Sequence, residues 1–355
     1  MRLYALLALL LANALSAGDA AALPVTVKPD DANLLYSGRW DTSKPEGPRC
    51  EWPAGQIRLR FTGTAVNVIL GGPKDHAFQV VVDGKPTSVV TIVAGQSVYP
   101  VAADLPAGEH LIELCKRTEC WGGPVQVKGF QLAAGSTLLA PPAFKRRVEF
   151  VGDSITAGYG NEAASKEEHF SFATENAWLA WGAVTARALD AELMCEAISG
   201  IRLQKGEDKK SMPELWGKTM PFTASKDWDF KTWQADAVVV NLGTNDFNNK
   251  KLPLEDAKWR EAYKPFIAAI RAAYPKAHIF LAIGPMGHGK DGIVAKTNEA
   301  IVADLAAAGD KLVHALPLPN QRMDDGIGAD WHPSIKTHQK MADAAVAAIK
   351  KELGW

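Results

Sequence analysis

Four residues spread between positions 154 and 332 have the types that acyl transfer from an ester requires. Ser154 is a candidate nucleophile and His332 a candidate base. The backbone N–H groups of Ser154 and Gly200 and the side-chain amide of Asn245 are candidate donors to the oxyanion. Such a set works without a metal ion or a cofactor, and we expect neither here.

The segments around these residues predict that all four meet at one edge of a sheet. Residues 148–151 read as a buried strand, and Gly152 then allows a sharp turn just before Ser154. Gly200 and Asn245 follow two further strand-like runs, and His332 precedes a loop-to-helix junction at Pro333. Open parallel sheets keep their chemistry beyond the carboxyl ends of their strands, so this placement favours an active site.

Each residue also has a simpler explanation when it is taken alone. Ser154 has the type of a helix N-cap, Gly200 of a strand end, and Asn245 of a turn built with Asp246. Among the other histidines, His314 is expected in the core and His338 on a helix surface. The common placement of the four candidates at strand ends and loops is what favours catalysis.

The order of elements predicts two domains after a leader. Residues 23–140 contain short alternating runs and the Asp83-Gly84 hairpin signal, which indicate a β-sandwich of the jelly-roll type. Residues 145–355 alternate strands with helices, which indicates an α/β domain with a parallel sheet flanked by helices. Prolines and small residues between them mark the linker.

The first 22 residues predict export from the cytoplasm. Arg2 precedes a short apolar run and then small residues, the pattern of a secretory signal peptide rather than of a membrane anchor. We therefore expect a secreted or periplasmic protein that is free of the membrane after cleavage. A net charge of −1, without a long run of like charges, gives no footprint for nucleic acid.

The four cysteines of the chain, and three tryptophans of its N-terminal region, leave alternatives open. Export makes disulfides possible, as one bridge with two free thiols or as two bridges, while Cys195 lies in an apolar strand as a buried thiol would. The cysteines are Cys50, Cys115, Cys120 and Cys195. The tryptophans Trp40, Trp52 and Trp121 have the type of a sugar-binding platform or of packed core residues.

Three blocks in this order resemble the SGNH (GDSL) hydrolases: Gly152-Asp153-Ser154, Gly243-Thr244-Asn245-Asp246 and Asp330-Trp331-His332-Pro333. Further stretches resemble carbohydrate esterase family 2, the two-domain acetyl esterases of plant polysaccharides. They are Tyr36-Ser37-Gly38-Arg39, Glu113-Leu114-Cys115-Lys116-Arg117-Thr118-Glu119, Gly158-Tyr159-Gly160 and Trp228-Asp229-Phe230. This resemblance implies a jelly-roll domain before an SGNH domain, with Ser154 as nucleophile, His332 as base, and Gly200 and Asn245 as oxyanion donors.

The resemblance leaves the group that orients His332 open. The SGNH pattern places the acid three residues before the histidine, where this chain has Ala329. Asp330 lies two residues before and is the expected acid, with Asp324 and Asp325 as substitutes. A backbone carbonyl is the alternative, because in some family 2 members the Ser/His pair works without a conventional acid.

The expected function is removal of O-acetyl groups from xylan, glucomannan or related saccharides by an exported, monomeric serine esterase. Trp331, Trp228 and Trp216 are the candidate sugar-binding side chains. One rival is an SGNH lipase or thioesterase that acts on longer acyl chains. The other is a non-catalytic polysaccharide-binding protein that keeps the fold.

Overall fold

The computed structural model describes residues 24–205, 210–247, 256–286 and 292–355. The predicted signal peptide, 1–22, lies outside these ranges. Within them, no helix combines the length and the apolar character needed to cross a bilayer.

The N-terminal domain consists of two antiparallel sheets. Its strands are β1 (Val25–Val27), β2 (Leu34–Ser37), β3 (Arg49–Cys50), β4 (Gln56–Gly63), β5 (Val66–Gly71), β6 (Ala77–Val82), β7 (Lys85–Thr91), β8 (Val98–Ala102), β9 (Gly108–Lys116), β10 (Val125–Leu132) and β11 (Thr137–Leu139). One sheet has the order β1-β10-β5-β8, with β3 beside β10. The other has the order β11-β4-β9-β6-β7, with β2 beside β4.

Alternation along these strands builds one core between the two sheets. In β5, Val66, Val68 and Leu70 are buried while the residues between them are only partly covered. This buried set forms a single cluster with Phe130 of the paired strand β10 and with Phe61 of β4 in the opposite sheet. This arrangement confirms the β-sandwich that the alternating runs predict.

The C-terminal domain is a parallel five-stranded sheet between helices. In chain order it contains β12 (Arg146–Gly152), α1 (Ser154–Ala157), α2 (Trp181–Ala188), β13 (Ala191–Ala197), α3 (Met212–Leu215), β14 (Ala237–Asn241), α4 (Thr244–Phe247), α5 (Asp256–Ala273), β15 (His278–Ile283), α6 (Ile293–Ala307), β16 (Val313–Pro317) and α7 (Ile335–Leu353). The strand order is β13-β12-β14-β15-β16, and every pairing is parallel. The predicted α/β fold is therefore confirmed.

The central strands are apolar throughout because helices cover both faces of the sheet. Val238 and Val240 of β14 face one core cluster, and Val239 faces the other. The helix α7 packs on the second face beside α2, and there His338 is fully buried, with its Nδ1 accepting from the Trp181 N–H at 3.2 Å. The expectation that His338 lies on a helix surface is thus wrong.

The two domains are joined by a buried charge cluster, which we call the Arg39 cluster. Arg39 of the N-terminal domain is 0% exposed, and its guanidinium lies 3.1 Å from Glu149 Oε1 on β12 and 3.0 Å from Glu196 Oε1 on β13. The aromatic members of the cluster are Trp216, Trp228 and Phe230, whose ring centroids lie 5.9, 5.5 and 5.3 Å from the guanidinium carbon. The cluster therefore links the N-terminal domain to β12 and β13 of the C-terminal domain.

All four cysteines are free thiols in the structure, and all four are buried. Burial raises the pKa of the Cys50 and Cys115 thiols to about 12. These side chains therefore pack as small apolar groups, as proposed for Cys195 from its strand.

Candidate active site

Ser154 stands at the first position of α1, directly beyond the carboxyl end of β12. The N-cap of this helix is Asp153, whose side chain accepts from the Ile155 N–H at 3.0 Å. Because Asp153 does the capping, the Ser154 hydroxyl is free for another partner. The alternative in which Ser154 serves as the cap is therefore wrong.

Gly152 permits the close approach of β12 and α1 that places Ser154. A Cβ atom at position 152 would lie 2.1 Å from Thr156 Oγ1 and 2.6 Å from Thr156 Cβ. A larger residue would therefore push the helix start away from the strand end.

The structure brings Ser154 and His332 into direct contact. His332 Nε2 lies 2.8 Å from Ser154 Oγ, within reach for proton transfer. On the opposite side of the ring, Nδ1 lies 3.1 Å from the carbonyl oxygen of Ala329. A proton on Nδ1 satisfies that carbonyl and leaves Nε2 as the acceptor, which is the tautomer that a general base needs.

Asp330 faces away from His332. Its carboxylate accepts from Tyr159 Oη at 2.8 Å and from the Phe170 N–H at 3.0 Å, and it pairs with His169 Nδ1 at 2.8 Å. The backbone explains this direction, because Asp330 (φ 49°) and Trp331 (φ 68°) both adopt left-handed conformations. The expectation that Asp330 orients His332 as the acid of a triad is wrong, and the Ala329 carbonyl stands in that place.

Asp330 acts on the site through Tyr159. The Tyr159 ring stacks on the His332 imidazole with centroids 4.1 Å apart, while its hydroxyl is held by Asp330. The next turn brings Gly160 against Ala329, where an added Cβ would lie 2.4 Å from the Ala329 Cβ. The 158–160 segment thus supports both the ring and the carbonyl that orient the base.

Asn245 joins the loops that carry the other two oxyanion candidates. Its Nδ2 donates to the Ile201 carbonyl at 2.9 Å and lies 3.5 Å from Asp153 Oδ2. Ile201 follows Gly200, and Asp153 precedes Ser154. The starts of α1 and α4 and the turn at Gly200, which carry Ser154, Asn245 and Gly200, therefore meet at this amide.

Burial sets the charge state of the site. It lowers the pKa of His332, a shift that the Ala329 carbonyl and the charge on Asp330 partly oppose. It also raises the pKa of Asp153 to about 7. A neutral imidazole beside Ser154 is the form that accepts a proton.

The three predicted sugar-binding tryptophans lie in different environments. Trp331 is 52% exposed beside His332, and Lys166 Nζ lies 3.8 Å from its ring centroid. Trp216 is buried in the Arg39 cluster, where its indole N–H donates to Glu149 at 2.6 Å, so its assignment as a sugar-binding residue is wrong. Trp228 is half-buried and packs on Arg39 in the same cluster.

A cavity of about 340 Å³ adjoins Gly200, and the sequence did not reveal it. Its aromatic wall is Trp121 of the N-terminal domain stacked on Phe222 of the C-terminal domain, with centroids 5.5 Å apart. Both rings are partly exposed, whereas Trp40 and Trp52 are buried. Trp121 therefore lines the cavity, whereas Trp40 and Trp52 pack in the interior. This difference becomes visible only where the two domains meet.

Within the described ranges, no group of three His, Cys, Asp or Glu side chains is arranged to hold a metal ion.

Replacing Asp330 with Asn is expected to lower kcat by less than about tenfold, because the side chain supports Tyr159 and not His332. A triad aspartate would instead cost about 10⁴-fold on the same change. The measurement is the steady-state rate with a chromogenic acetyl ester, with Tyr159→Phe as the matched control that removes the same hydrogen bond. A loss near 10⁴-fold for Asp330→Asn alone would restore Asp330 as the triad acid.

The fold and the contact between Ser154 and His332 fit a carboxylic ester hydrolase, the class that the comparisons with known proteins show. The GDSL-like lipase/acylhydrolase family model matches residues 150–340, and the carbohydrate esterase 2 N-terminal model matches residues 36–142. The chain belongs to the GDSL-like lipase/acylhydrolase family and, within it, to the carbohydrate esterases of family 2.

Similar proteins span nearly the whole chain. A family two carbohydrate esterase from Clostridium thermocellum, solved in complex with cellohexaose, is 39% identical with a TM-score of 0.86, covering 91% of this chain and 99% of that one. The cellulase/esterase CelE of Acetivibrio thermocellus is 40% identical over 92% of this chain, which spans 40% of CelE. An acetylxylan esterase / glucomannan deacetylase of Cellvibrio japonicus is 28% identical, with 88% of each chain covered.

Proposed function

We propose that this protein is an exported serine esterase that removes O-acetyl groups from plant cell-wall polysaccharides of the xylan and glucomannan class. The hydrogen bond between Ser154 Oγ and His332 Nε2 carries the proposal, because it joins a nucleophile to its base at the end of β12. The names of the similar Cellvibrio protein and of the cellohexaose-bound esterase support the carbohydrate class.

In the proposed acylation step, His332 Nε2 takes the Ser154 proton as Oγ attacks the acetyl carbonyl. The carbonyl electrons move onto oxygen, where the Ser154 and Gly200 N–H groups and the Asn245 amide donate to the developing charge. When the intermediate collapses, the bond to the sugar oxygen breaks and His332 returns the proton to that oxygen. The products are a free sugar hydroxyl and an acetyl ester on Ser154.

Deacylation repeats these roles with water. His332 takes a proton from a water molecule as the water oxygen attacks the acetyl carbon. The bond to Ser154 Oγ then breaks, His332 returns the proton to Oγ, and acetate leaves. Throughout, the Ala329 carbonyl accepts from Nδ1–H and keeps the ring in one orientation. A carbonyl is neutral, so it stabilises the transient imidazolium less than a carboxylate does.

Two aromatic surfaces near the reacting groups suit a saccharide. Trp331 is exposed directly beside His332, and Trp121 with Phe222 lines the cavity beside Gly200. Aromatic faces contact the C–H face of a sugar ring well while leaving its hydroxyls in water.

The same cavity favours one alternative, an esterase for longer acyl chains. Ile201, Leu215 and the two aromatic rings give it a largely apolar lining, and its volume of about 340 Å³ has room for a medium-length chain.

Acetyl and octanoyl esters of one chromophore distinguish a deacetylase from an esterase for longer acyl chains. The proposed deacetylase is expected to show a kcat/KM at least about tenfold higher for the acetyl ester, since even one methylene changes kcat/KM by roughly 10- to 200-fold in a fitted pocket. Preference for the octanoyl ester would contradict the proposal and favour a lipase or thioesterase.

The proposed export rests on Arg2 and the apolar run after it. A mature N-terminus close to position 22 after secretion would support it, and retention of the intact leader in the cytoplasm would contradict it.

A further inference from the structure

Glu119 of the N-terminal domain reaches into the C-terminal domain beside the oxyanion candidates. It lies between β9 and β10 and is 0% exposed. Its Oε2 accepts from the Ser199 N–H at 2.7 Å, and its Oε1 accepts from the Ser199 hydroxyl. Ser199 directly precedes Gly200, so a carboxylate from the other domain holds the residue next to a proposed oxyanion donor.

Glu119 is itself fixed on both sides. The fully buried Lys116 ammonium donates to the carbonyl oxygens of Glu51 at 3.2 Å and Glu119 at 2.9 Å, and also to that of Thr118. The Glu119 N–H donates to Glu175 Oε2 at 3.0 Å. The loop that presents the Glu119 carboxylate is therefore rigidly placed at the domain interface.

The charge distribution favours an ionised Glu119 beside a neutral Glu175. Burial raises the pKa of both carboxyls, but the Ser199 N–H and hydroxyl oppose that rise for Glu119. The negative charge of Glu119 raises the pKa of Glu175 further. Hydrogen bonds to an ionised acceptor are roughly twice as strong as neutral ones, which suits Glu119 to hold a loop.

Gly200 itself makes little packing contact. It is exposed with φ +77°, and, apart from its chain neighbours, no described atom lies within 4 Å of the position that a Cβ would take there. On its C-terminal side, the Ile201 carbonyl is held by Asn245. On its N-terminal side, Ser199 is held by Glu119, so the two bonds fix the turn from opposite ends.

The N-terminal domain holds the opposite wall of the adjoining cavity in the same way. Glu51 accepts from the N–H groups of Phe222 and Thr223 at 2.9 and 3.1 Å and from the Thr223 hydroxyl at 2.5 Å. Phe222 stacks on Trp121, two residues after Glu119. Contacts from the sandwich thus set both sides of the space beside Gly200.

We propose that Glu119 is a positioning residue, through which the N-terminal domain aims the Gly200 N–H at the oxyanion. The proposal rests on the proposed acyl-transfer function. Its consequence is that the sandwich is part of the catalytic unit, because the oxyanion turn keeps its geometry only while the domains are docked.

Glu119→Ala is the direct test, with kcat and KM measured for a small acetyl ester. We expect kcat to fall ten- to a hundredfold with KM within about threefold, somewhat less than the roughly 10²- to 10³-fold cost of removing one oxyanion donor. Glu119→Gln keeps an oxygen that accepts from the Ser199 N–H, and it is expected to recover most of the rate. Glu175→Gln, which resembles a neutral Glu175, is the matched control and is expected to stay within about twofold of wild type.

Methylboronic acid gives a readout that a purely structural role would not move. Its boron carries a methyl group and two hydroxyls and bonds to Ser154 Oγ while His332 takes the serine proton. The resulting tetrahedral anion needs the same donors as the acyl intermediate. We expect its affinity to fall in Glu119→Ala by about the factor seen in kcat. A folded Glu119→Ala protein with kcat within twofold of wild type would overturn the proposal, and so would a lower kcat with unchanged boronate affinity.

Ser199→Ala covers the case in which Glu119→Ala does not fold. It removes only the hydroxyl donor on the loop, and we expect a three- to tenfold loss in kcat with a matching loss of boronate affinity. Unchanged values for both would overturn the proposal. Failure of the proposed function is distinguishable, since the wild type would then cleave no acetyl ester while boronate binding would still report on the turn.

Discussion

Ser154→Ala is expected to lower kcat on a chromogenic acetyl ester by at least about 10⁴-fold, because it removes the atom that forms the acyl-enzyme. No other described group is hydrogen-bonded to His332 Nε2 in a way that would replace it. Residual activity over water is expected from the oxyanion donors alone. The measurement is the initial rate at saturating ester, with active protein quantified by its cooperative thermal unfolding.

The fold is expected to tolerate this change. Ser154 Oγ contributes neither the cap of α1, which Asp153 supplies, nor a core contact, so the free energy of unfolding should change by less than about 1 kcal/mol. Saccharide binding by Ser154→Ala is the control for an intact site. A variant that folds, binds saccharide and keeps more than about a tenth of the wild-type kcat would remove Ser154 as the nucleophile.

Arg39→Met is expected to reduce the free energy of unfolding by about 3–5 kcal/mol, because it leaves Glu149 and Glu196 buried without their cation. Methionine keeps most of the apolar part of the arginine side chain. The loss of stability therefore reflects the missing charge more than a change in side-chain volume. The melting temperature should fall on the order of 10 °C. Urea unfolding followed by tryptophan fluorescence measures the change.

The pH dependence of this loss follows from the buried carboxyls. Burial already raises the pKa of Glu196 well above its ordinary value, and without Arg39 the folded form takes up a proton that the unfolded chain releases above about pH 4. The destabilisation should therefore be smallest below the raised pKa of Glu196, where this carboxyl is protonated in both folded proteins, and should grow as the pH rises above it. Arg60→Met, which breaks the exposed pair with Glu109, is the matched control with a change within about 1 kcal/mol. Equal effects of the two substitutions would contradict a role for the Arg39 cluster in joining the domains.

Most of the regular structure was predictable because local periodicity determined it. The run 237–242 predicts a buried strand and the structure has β14 at Ala237–Asn241, while the pattern at 335–353 matches α7. The short strands β1, β3 and β11 have two or three residues each and carry no periodic signal. The prediction of an exposed His338 failed because α2 covers the face of α7 that carries this side chain. The sequence of α7 alone does not show that another helix packs there.

The candidate site was predictable where a motif lies within a few residues, and less so where distant segments meet. Ser154 and His332 stand in short blocks with recognisable turn chemistry. The failure at Asp330 has a local cause, since two successive left-handed residues turn its carboxylate toward Tyr159. Glu119 is 80 residues from Ser199, and nothing in either segment signals the other.

Trp216 shows the limit of reading function from residue type. Its indole makes it a candidate for sugar binding, but the structure buries the ring at the domain interface, where its N–H donates to the Glu149 carboxylate beside Arg39. Trp121 stands at an equally uninformative position and yet lines the cavity beside Gly200. Only the way in which the two domains pack together buries Trp216 and leaves Trp121 at the cavity.

Acetate release from an acetylated xylo- or glucomanno-oligosaccharide tests the central claim most directly. The purified wild-type protein should release acetate and leave the sugar backbone intact, as followed by NMR of the acetyl signals, and Ser154→Ala should release none above the uncatalysed rate. Absence of acetate release from every acetylated saccharide, with cleavage of octanoyl esters by the same preparation, would contradict the claim that this chain is a carbohydrate deacetylase.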